Sequence, residues 1–390
     1  MLLSVILGVK LCFARSVIRS KKTMRSPAFF RRPTQTMKPT GILREPVYLL
    51  HEMGHYHPEN PRRLEVVYQM LDEAGPELNI QQIPARKATF EEIATNHSPR
   101  YVEAIASTAG HRQTYLDPDT STCADSWDAS TAAVGGLLNL VDAVVEGRVR
   151  NGFGLVRPPG HHAVWDRAMG FCIFNNVAIA ARHAMSRHAM ERIAIVDWDL
   201  HHGNGTQSSF YDDPRVLFIS THQYPHYPGS GSVQETGRGK GEGYTINVPL
   251  SPGAGDLEYV AIFHKLVAPV LRIFKPELVL VSAGFDAHER DPLGGMGITA
   301  QGYEQMVRIL MRAAAEICSG RLVLTLEGGY DLHALRESIA SVLLCLSTFE
   351  PDRFKGTEEP SMESLHPRAT HILTEVLSTQ REYWPDLPEK

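Results

Sequence analysis

The chain has 390 residues, of which 43% are hydrophobic and 21% are charged, so its composition is that of an ordinary folded protein. The formal net charge of −5 provides no strong basic field, and direct nucleic-acid binding is not expected. Five scattered cysteines without a Cys-x-x-Cys pair argue against a disulfide framework and against a cysteine-ligated structural metal site. We therefore expect an intracellular, reducing location: the cytoplasm first, with mitochondria or the nucleus as alternatives in a eukaryote.

Residues 1–44 differ from the rest of the chain because they are basic and contain no acidic residue before Glu45. Such a leader is typical of transit peptides, and the alternatives are a disordered tail or a start assigned too early, with Met37 as the true first residue. The opening apolar run is too short to span a bilayer, and no later segment is expected to reach the roughly 18 apolar residues of a membrane helix. We therefore predict a leader over 1–44, no membrane contact, and one folded domain over 45–390.

Short β-rich apolar runs alternate with helical patterns along the chain. The predicted strands lie at 46–51, 80–84, 152–157, 193–198, 215–220, 244–249, 277–283 and 321–326. The predicted helices lie at 61–73, 90–106, 128–147, 174–190, 257–274, 300–319 and 333–347. Several strands are continuous Val/Ile/Leu runs, which is typical of strands buried on both faces. The alternation predicts a doubly wound α/β fold with a parallel sheet, and the polar segment 351–370 is predicted to be loop.

Five of the predicted strands are followed by segments that contain histidine, aspartate or tyrosine, most of them with a glycine turn. These segments are 157–162 ("RPPGHH"), 199–205 ("DLHHGNG"), 221–224 ("THQY"), 284–288 ("GFDAH") and 327–331 ("EGGYD"). In open parallel sheets, ligands bind beyond the carboxyl ends of the strands. We therefore expect these segments to converge on one site.

Two of the segments supply the ligand types of a catalytic zinc site. Asp199 and His201 are two residues apart, so an extended backbone would direct both side chains to the same side. Asp286, which follows a separate strand, would supply a third ligand. Three nitrogen or oxygen ligands with one position left for water describe a catalytic zinc site, where the ion lowers the pKa of water to about 7 and polarises a carbonyl.

Acid/base groups follow two further strands. The pair His161-His162 would act as general acid and base beside the metal, and Tyr330 would donate its hydroxyl to a developing oxyanion. Each feature alone is weak, because Asp-x-His and His-His pairs occur in ordinary loops and a single tyrosine is commonly a core residue. Their joint occurrence predicts a metal-assisted amide or ester hydrolase.

Seven segments resemble, in the same order, the motifs of the zinc-dependent deacetylase family, which includes histone deacetylases and acetylpolyamine amidohydrolases. They are "RPPGHHA" (157–163), "MGFCIFNNVAIAA" (169–181), "VDWDLHHGNGTQ" (196–207), "YPGSG" (227–231), "GEGYTINVPL" (241–250), "SAGFDAHERDPLGG" (282–295) and "LEGGYD" (326–331). The resemblance covers roughly 45–345. It implies the arginase/deacetylase fold, with an eight-stranded parallel sheet flanked by helices on both faces, and a hydrolase acting on linear amide bonds.

The resemblance also assigns metal ligands position by position. One Zn²⁺ for each chain would be held by Asp199, His201 and Asp286. The family also binds one or two structural K⁺ ions through oxygen atoms, many of them backbone carbonyls, which suits a hard cation. The inner K⁺ set corresponds to Asp197, Asp199, His201, Ser220 and Thr221. The outer K⁺ set corresponds to Phe210, Asp213, Val216 and Tyr244.

Catalytic roles follow from the resemblance in the same way. His162 matches the histidine that acts as general base, His161 is its neighbour in the catalytic pair, and Tyr330 matches the tyrosine that polarises the acetyl carbonyl. Asp197 matches the acid that partners His161. The partner of His162 is Asp in one branch of the family and Asn in another, and Asn204 resembles the class II branch. A neutral partner stabilises an imidazolium less than a carboxylate does, which favours a neutral base at rest.

A narrow apolar tunnel for the aliphatic stem of an acyl-lysine is a further implication of the resemblance. Phe171 and Tyr227 match its walls, Gly170 matches its floor, and Leu293 lies on its rim segment. Polyamine-specific members tend to carry an acidic residue in this rim segment, so Leu293 favours acetyl-lysine, in a histone or another protein, over an acetylated polyamine. Hydroxamate-type inhibitors are expected to bind.

The front segment 51–63 ("HEMGHYHPENPRR") is rich in histidine but resembles the family's N-terminal substrate-side loop more than a metal site. Within it, Arg62 or Arg63 is expected to begin a helix. Asp117 and Asp119 are candidate rim carboxylates for the substrate, and simple solvation in a loop is the alternative.

Three functions stay open at this point. The leading one is a zinc-dependent deacetylase acting on acetyl-lysine, and the second is an acetylpolyamine amidohydrolase. The third is a catalytically inactive acetyl-lysine binding protein, against which the complete set of predicted ligands and acid/base groups argues. The sequence leaves open the natural substrate, the divalent metal used in the cell, and whether the chain forms a homo-oligomer.

Overall fold

The computed structural model describes residues 37–348, 350 and 358–388. Its strands are β1 (Thr40–Leu43), β2 (Ile80–Gln82), β3 (Thr114–Tyr115), β4 (Ser121–Thr122), β5 (Asn151–Gly154), β6 (Ile193–Asp197), β7 (Val216–Gln223), β8 (Thr245–Leu250), β9 (Leu278–Ala283) and β10 (Leu322–Leu326). Its α-helices are α1 (Arg62–Ala74), α2 (Phe90–Ala94), α3 (Pro99–Ala106), α4 (Ser126–Val145), α5 (Asn176–Arg187), α6 (Asn204–Phe210), α7 (Asp256–Ile262), α8 (Ala268–Phe274), α9 (Ala300–Cys318), α10 (Leu332–Thr348) and α11 (Pro367–Arg381). A π-helical segment, Phe263–Val267, connects α7 directly to α8.

Eight of the strands form one parallel sheet in the order β2-β1-β5-β10-β9-β6-β7-β8, and β3 and β4 form a separate antiparallel pair. Every residue of β6, β7, β9 and β10 is buried, because these Val/Ile/Leu-rich strands are covered by helices on both faces. The predicted fold class, an eight-stranded parallel sheet flanked by helices, is confirmed. Since β5, β10, β9 and β6 are neighbours in the middle of the sheet, the segments that follow them are neighbours too.

The amino-terminal edge of the sheet differs from the prediction. Residues Pro46–Leu49 form a 3-10 helix rather than a strand, and the proline at the first position has no N–H to offer to a sheet. The missing strand is β1, which pairs with both β2 and β5 although it lies inside the predicted leader. Strand β1 lies before the predicted domain boundary at residue 45, so the sheet includes residues of the predicted leader, and the described residues from Lys38 onward belong to one compact unit. The remainder of the leader prediction falls on 1–36, which lie outside the described residues.

One predicted helix and one predicted loop also need correction. The predicted helix 90–106 is divided into α2 and α3, because Ser98 accepts a hydrogen bond from the N–H of Tyr101 and caps a new helix that begins at Pro99. The predicted loop 351–370 ends in the first turn of α11, which begins at Pro367. A proline often marks the first residue of a helix, but the polar composition of this segment favoured a loop.

Helix α4 is the one helix among the described residues that is long and apolar enough to cross a membrane. The expectation that no later segment has this composition is therefore wrong. Within the fold, 78% of its apolar window is buried, and the helix packs against α5, β1 and β5. Its apolar character is accounted for by this packing position, and the absence of membrane contact stays a prediction.

Candidate active site

A cavity of about 180 Å³ opens at the carboxyl edge of the sheet, where the segments that follow β5, β6 and β10 meet the loops around them. Eight of the predicted site residues line it: His161, His162, Gly170, Phe171, His201, Tyr227, Leu293 and Tyr330. Asp119, Cys172 and His226 line it as well. The sequence therefore predicted which edge of the sheet carries this cavity and eight of the side chains that line it.

The three predicted zinc ligands come together from two strands. Nδ1 of His201 lies 3.1 Å from a carboxylate oxygen of Asp199 and 3.1 Å from one of Asp286. The ligand atoms of the three residues all lie within 4.8 Å of one another. Strand β6 ends at Asp197, so Asp199 and His201 lie in bends beyond it and not in the extended backbone that was predicted. The backbone N–H of Leu200 donates to Asp286 at 2.8 Å and helps to fix the third ligand.

The electrostatics of this group fit a divalent cation. Asp199 and Asp286 are fully buried, and burial together with the charge of Asp199 raises the pKa of Asp286. Burial opposes the protonation of His201, but hydrogen bonds with both carboxylates outweigh it and raise its pKa to about 10. Two adjacent buried carboxylates are costly unless positive charge compensates them, and a bound metal would provide that charge.

Two glycines make room for these carboxylates. A Cβ atom on Gly284 would lie 1.9 Å from Oδ2 of Asp199, and one on Gly328 would lie 2.1 Å from Oδ2 of Asp286. Any larger residue at either position would push a ligand away. The Gly328 N–H also donates to Asp199 at 2.8 Å, a contact that needs the same close approach.

The two histidines of the catalytic pair have different partners. Nδ1 of His161 lies 2.9 Å from Asp197, whereas Nδ1 of His162 lies 2.8 Å from the side-chain oxygen of Asn204. Burial opposes the protonation of His161, but the charges of Asp197 and Asp199 outweigh it and raise its pKa to about 10. Burial and two charged histidine neighbours hold the pKa of His162 well below its usual range. The pair is therefore one cation and one neutral ring.

Tyr330 is held by residues that the sequence did not identify. Its backbone N–H donates to Asp291 at 2.6 Å, and the guanidinium of Arg63 lies 4.9 Å from the centre of its ring. Arg63 also donates to the carbonyls of Gly329, at 2.7 Å, and Glu327, at 2.6 Å. Burial raises the pKa of the Tyr330 phenol well above its usual range, so it remains a hydrogen-bond donor.

A buried charge cluster lies behind this loop. Glu59 accepts hydrogen bonds from Arg63, at 3.1 Å, and from two nitrogens of Arg157. Arg157 also donates to the carbonyls of Tyr48 and His51, each at 2.9 Å. Arg63 and Glu59 lie in the histidine-rich front segment, and the signal that could have found them is a charged i, i+4 pair beside prolines. That segment forms no candidate metal group among the described residues.

The predicted tunnel residues line the cavity beside the proposed catalytic side chains. The ring of Phe171 lies 5.8 Å from that of Tyr330, and the ring of Tyr227 lies 5.1 Å from that of His162. Gly170 has a positive φ of 56°, and a Cβ atom there would lie 2.4 Å from the His162 ring. The Gly170 N–H donates to Asp119, a predicted rim carboxylate, at 3.2 Å, and this bond connects the floor of the tunnel to its rim.

Each predicted potassium set is brought together within one region. Asp197 of β6 pairs in register with Ser220 of β7, and the Thr221 hydroxyl donates to the Asp197 carbonyl at 3.4 Å. In the second set, the turn between α6 and β7 is closed by hydrogen bonds from the N–H of Asp213 to the Phe210 carbonyl and from the N–H of Val216 to the Asp213 carbonyl. The Tyr244 carbonyl accepts a hydrogen bond from β7. Binding of K⁺ itself stays a prediction.

Several known proteins are similar in sequence to this chain over most of its length. Residues 57–346 match the histone deacetylase domain. The chain is 38% identical to a probable deacetylase of Archaeoglobus fulgidus, with 88% of this chain and 98% of the relative covered. It is 41% identical to the chloroplastic histone deacetylase 14 of Arabidopsis thaliana, with 74% and 73% covered. It is 39% identical to histone deacetylase HDA1 of Candida albicans, of which it spans 42%.

A solved structure supports the same relationship. The HDA15 HD domain matches the fold with a TM-score of 0.82 at 37% identity, covering 90% of this chain and 96% of the other. The match supports the fold described above, with its eight-stranded parallel sheet. The chain belongs to the histone deacetylase family, whose members are hydrolases of acetyl amide bonds.

Proposed function

We propose that this chain is a zinc-dependent deacetylase that hydrolyses the acetyl amide of acetyl-lysine in a protein or peptide. The observation that carries the proposal is the placement of His162 and Tyr330 in the same cavity as His201, the imidazole of the predicted metal group. A base, an oxyanion donor and a metal ligand thus face one small volume. This is the set of groups that amide hydrolysis requires.

The donors fit zinc, with one imidazole nitrogen and two carboxylate oxygens as the protein ligands. When bound, zinc would polarise the acetyl carbonyl and lower the pKa of water. The two buried aspartates would then be neutralised by the ion that they hold. Proton transfer and part of the oxyanion stabilisation are carried out by side chains of the protein.

His162 is positioned to take a proton from the attacking water. Its Nδ1–H donates to Asn204, which leaves a lone pair on Nε2. Because its pKa is held low, the ring is neutral before the reaction and accepts that proton. The same nitrogen then delivers the proton to the leaving amine.

Negative charge that develops on the acetyl oxygen would be stabilised from two sides. The Tyr330 hydroxyl remains protonated because its pKa is raised, so it donates to the oxyanion. His161 is a fixed cation, with Nε2 at 3.8 Å from Asp199 and Nδ1 bonded to Asp197. Its positive charge lies next to the reacting centre and requires no rearrangement during the reaction.

Substrate preference follows from the tunnel. Phe171 and Tyr227 offer apolar walls to an aliphatic lysine stem, and Leu293 on the rim offers no charge to the second ammonium of a polyamine. Asp119 is the carboxylate at this cavity, and it already accepts the N–H of Gly170. We therefore favour acetyl-lysine over acetylated polyamines, which are the second candidate.

A direct comparison of substrates tests this preference. The zinc-loaded protein is assayed with an acetyl-lysine peptide and with acetylputrescine, and a larger kcat/KM for the peptide is expected. A larger kcat/KM for acetylputrescine would replace the proposal with an acetylpolyamine amidohydrolase. Introducing an acid by Leu293→Glu should shift the ratio toward acetylputrescine, because the carboxylate would pair with the free ammonium.

We also propose that one or two K⁺ ions occupy the inner and outer oxygen sets. The buried Asp197 and the approach of the Thr221 hydroxyl to its carbonyl at 3.4 Å bring several oxygen atoms together, which supports a hard cation at the inner site. The thermal midpoint of the protein should be higher in K⁺ than in Na⁺ at equal ionic strength. Equal midpoints would contradict selective binding.

For the location we propose a reducing compartment inside the cell. All four cysteines described in the structure are free, and three of them are buried. Relatives include chloroplastic, fungal and archaeal proteins, so an organelle is compatible with the basic segment before residue 37. Fluorescent fusions with and without residues 1–36 test whether that segment is a targeting signal.

A further inference from the structure

A second group of metal-ligating side chains lies away from the active site, between α4 and the end of α5. Nε2 of His183 lies 2.8 Å from Oδ1 of Asp142, and Nε2 of His188 lies 2.7 Å from the same oxygen. The candidate ligand atoms of all three residues lie within 4.8 Å of one another. Two imidazoles thus converge on one carboxylate.

The geometry arises from the way α5 ends. His183 lies in α5, and His188 is the residue at which the helix stops, with its N–H bonded to the carbonyl of Ala184. In a continuous helix, residues five apart point to different sides. The end of the helix turns His188 back, so the two rings lie 6.0 Å apart at 82° to each other. Asp142 is supplied by α4, which packs against α5.

The group is sheltered but open to solvent. The side chains of His183, His188 and Asp142 are 12%, 14% and 20% exposed. An ion can reach the ligands, and water can complete its coordination. A site with three protein ligands and open positions is chemically different from a closed structural one.

The surrounding charge is compatible with a cation. Arg86 is the nearby positive group, and its guanidinium is paired with both carboxylate oxygens of Glu92 at 2.6 and 2.7 Å. Metal binding requires both imidazoles to be neutral, and Asp142 and Glu92 then carry more negative charge than Arg86 carries positive charge.

We propose that Asp142, His183 and His188 form a second divalent transition-metal site, separate from the active site. Imidazole nitrogens with one carboxylate suit Zn²⁺, Co²⁺, Ni²⁺ or Cu²⁺ rather than Ca²⁺ or Mg²⁺. Binding requires the ligand atoms to separate slightly around an ion at about 2.0–2.2 Å from each. The bound ion would link α4 to α5 and stabilise the folded chain through ligand linkage. The proposal does not depend on the reaction assigned to the active site.

The test is the zinc content of the full chain at saturation. After dialysis against excess free Zn²⁺ and rapid removal of unbound metal, elemental analysis should find two ions for each wild-type chain. His188→Gln should bind one, because glutamine keeps an N–H for Asp142 but loses the imidazole nitrogen. Asp286→Asn should also bind one, because it removes the active-site ion instead.

Controls separate this site from general histidine binding and from misfolding. His333→Gln changes an exposed histidine paired with Glu337 on α10 and should leave two ions. If His188→Gln does not fold, Asp142→Asn tests the same site from the other helix. A single ion on saturated wild-type protein, or two ions on folded His188→Gln or Asp142→Asn, would overturn the proposal.

Discussion

The two histidines of the predicted catalytic pair differ in one partner atom. His161 contacts a carboxylate of Asp197, whereas His162 contacts the amide oxygen of Asn204. A carboxylate stabilises an imidazolium far more than an amide does. One ring is therefore charged and the other neutral, and the proposed mechanism uses the first for electrostatic stabilisation and the second for proton transfer.

Asn204→Asp tests this division through the pH dependence of catalysis. The added carboxylate should raise the pKa of His162, so that the base is protonated over a wider range of acid pH. The acidic limb of kcat/KM should move upward by about 1–2 pH units. Asn204→Ala removes the hydrogen bond without adding charge and should not move the limb upward. An unmoved limb in Asn204→Asp would exclude His162 as the titrating base.

Tyr330→Phe tests the oxyanion donor. Loss of the hydroxyl should reduce kcat by roughly 10²–10³-fold, the usual effect of removing one such donor. The ring that Arg63 covers is retained, so the fold, the zinc content and the binding of a hydroxamate should be preserved. Activity near that of the wild type would remove Tyr330 from the proposed mechanism.

The reactive side chains that follow the strands were predictable from the sequence, but the side chains that hold them in position were not. His162 and Tyr330 are weak signals alone, and they stand out because several segments with reactive side chains follow neighbouring buried strands. Arg63 gives no comparable signal, because an arginine at the start of a helix is normally read as solvent-exposed. Its role depends on a contact with Gly329, 266 positions along the chain, that only the folded structure shows.

At the scale of elements, Glu59 holds the start of α1 against the loop after β10. It is completely buried between Arg63 and Arg157, and burial, which opposes its charge, is outweighed by these cations, so its pKa is lowered to about 2. Arg63 in turn donates to the Gly329 carbonyl and lies over the ring of Tyr330. We therefore expect both the stability of the fold and the position of Tyr330, the proposed oxyanion donor, to depend on Glu59.

Glu59→Gln should destabilise the protein strongly. Two buried guanidinium groups would lose their counter-charge, and breaking a buried pair in this way typically costs about 3–5 kcal/mol. Urea unfolding measures the loss, and kcat should fall as well because Tyr330 loses its support. Asp72→Asn breaks an exposed ion pair with Arg44 and should have a far smaller effect. Equal effects of the two substitutions would contradict the role given to the buried cluster.

A buried neutral histidine connects three further elements. His97, just before α3, donates from Nδ1 to the carbonyl of Val164 at 2.9 Å and accepts at Nε2 from the N–H of Asn175, which caps α5, at 2.9 Å. Acceptance at Nε2 requires the neutral ring, whereas the Nδ1–H bond would be kept by the charged form. Burial lowers the pKa of His97 to about 4, although the Val164 carbonyl favours the charged form.

His97→Gln tests this connection through the pH dependence of stability. The folded pKa lies below the unfolded value of about 6.5, so the contribution of His97 is full above that pH and is lost as the pH falls toward 4. The slope is at most about 1.4 kcal/mol for each pH unit. In urea unfolding, the difference between wild type and His97→Gln should be larger at about pH 7.5 than at about pH 4.5. The same difference at both pH values would contradict the account.

At the scale of the whole molecule, the parallel sheet explains why distant segments meet. Strands β5, β10, β9 and β6 are adjacent and point the same way, so the segments after them share one edge. The sequence predicted seven of the eight strands of the sheet, and the pattern is clearest in β6, β7, β9 and β10, which are continuous apolar runs buried along their whole length. It missed β1, a four-residue strand between a proline and an arginine, because so short a run is not distinguishable from a loop.

In the proposed mechanism, deacetylation depends on a metal ion held by Asp199, His201 and Asp286. The most direct measurement is acetate release from an acetyl-lysine peptide by protein stripped of metal with a chelator and by the same protein reloaded with Zn²⁺. We predict that the stripped protein is nearly inactive, that zinc restores turnover, and that His162→Ala stays inactive after reloading. Full activity without metal would contradict the account. Binding of the peptide by the zinc-loaded protein without release of acetate would also contradict it, and would instead identify an acetyl-lysine binding protein.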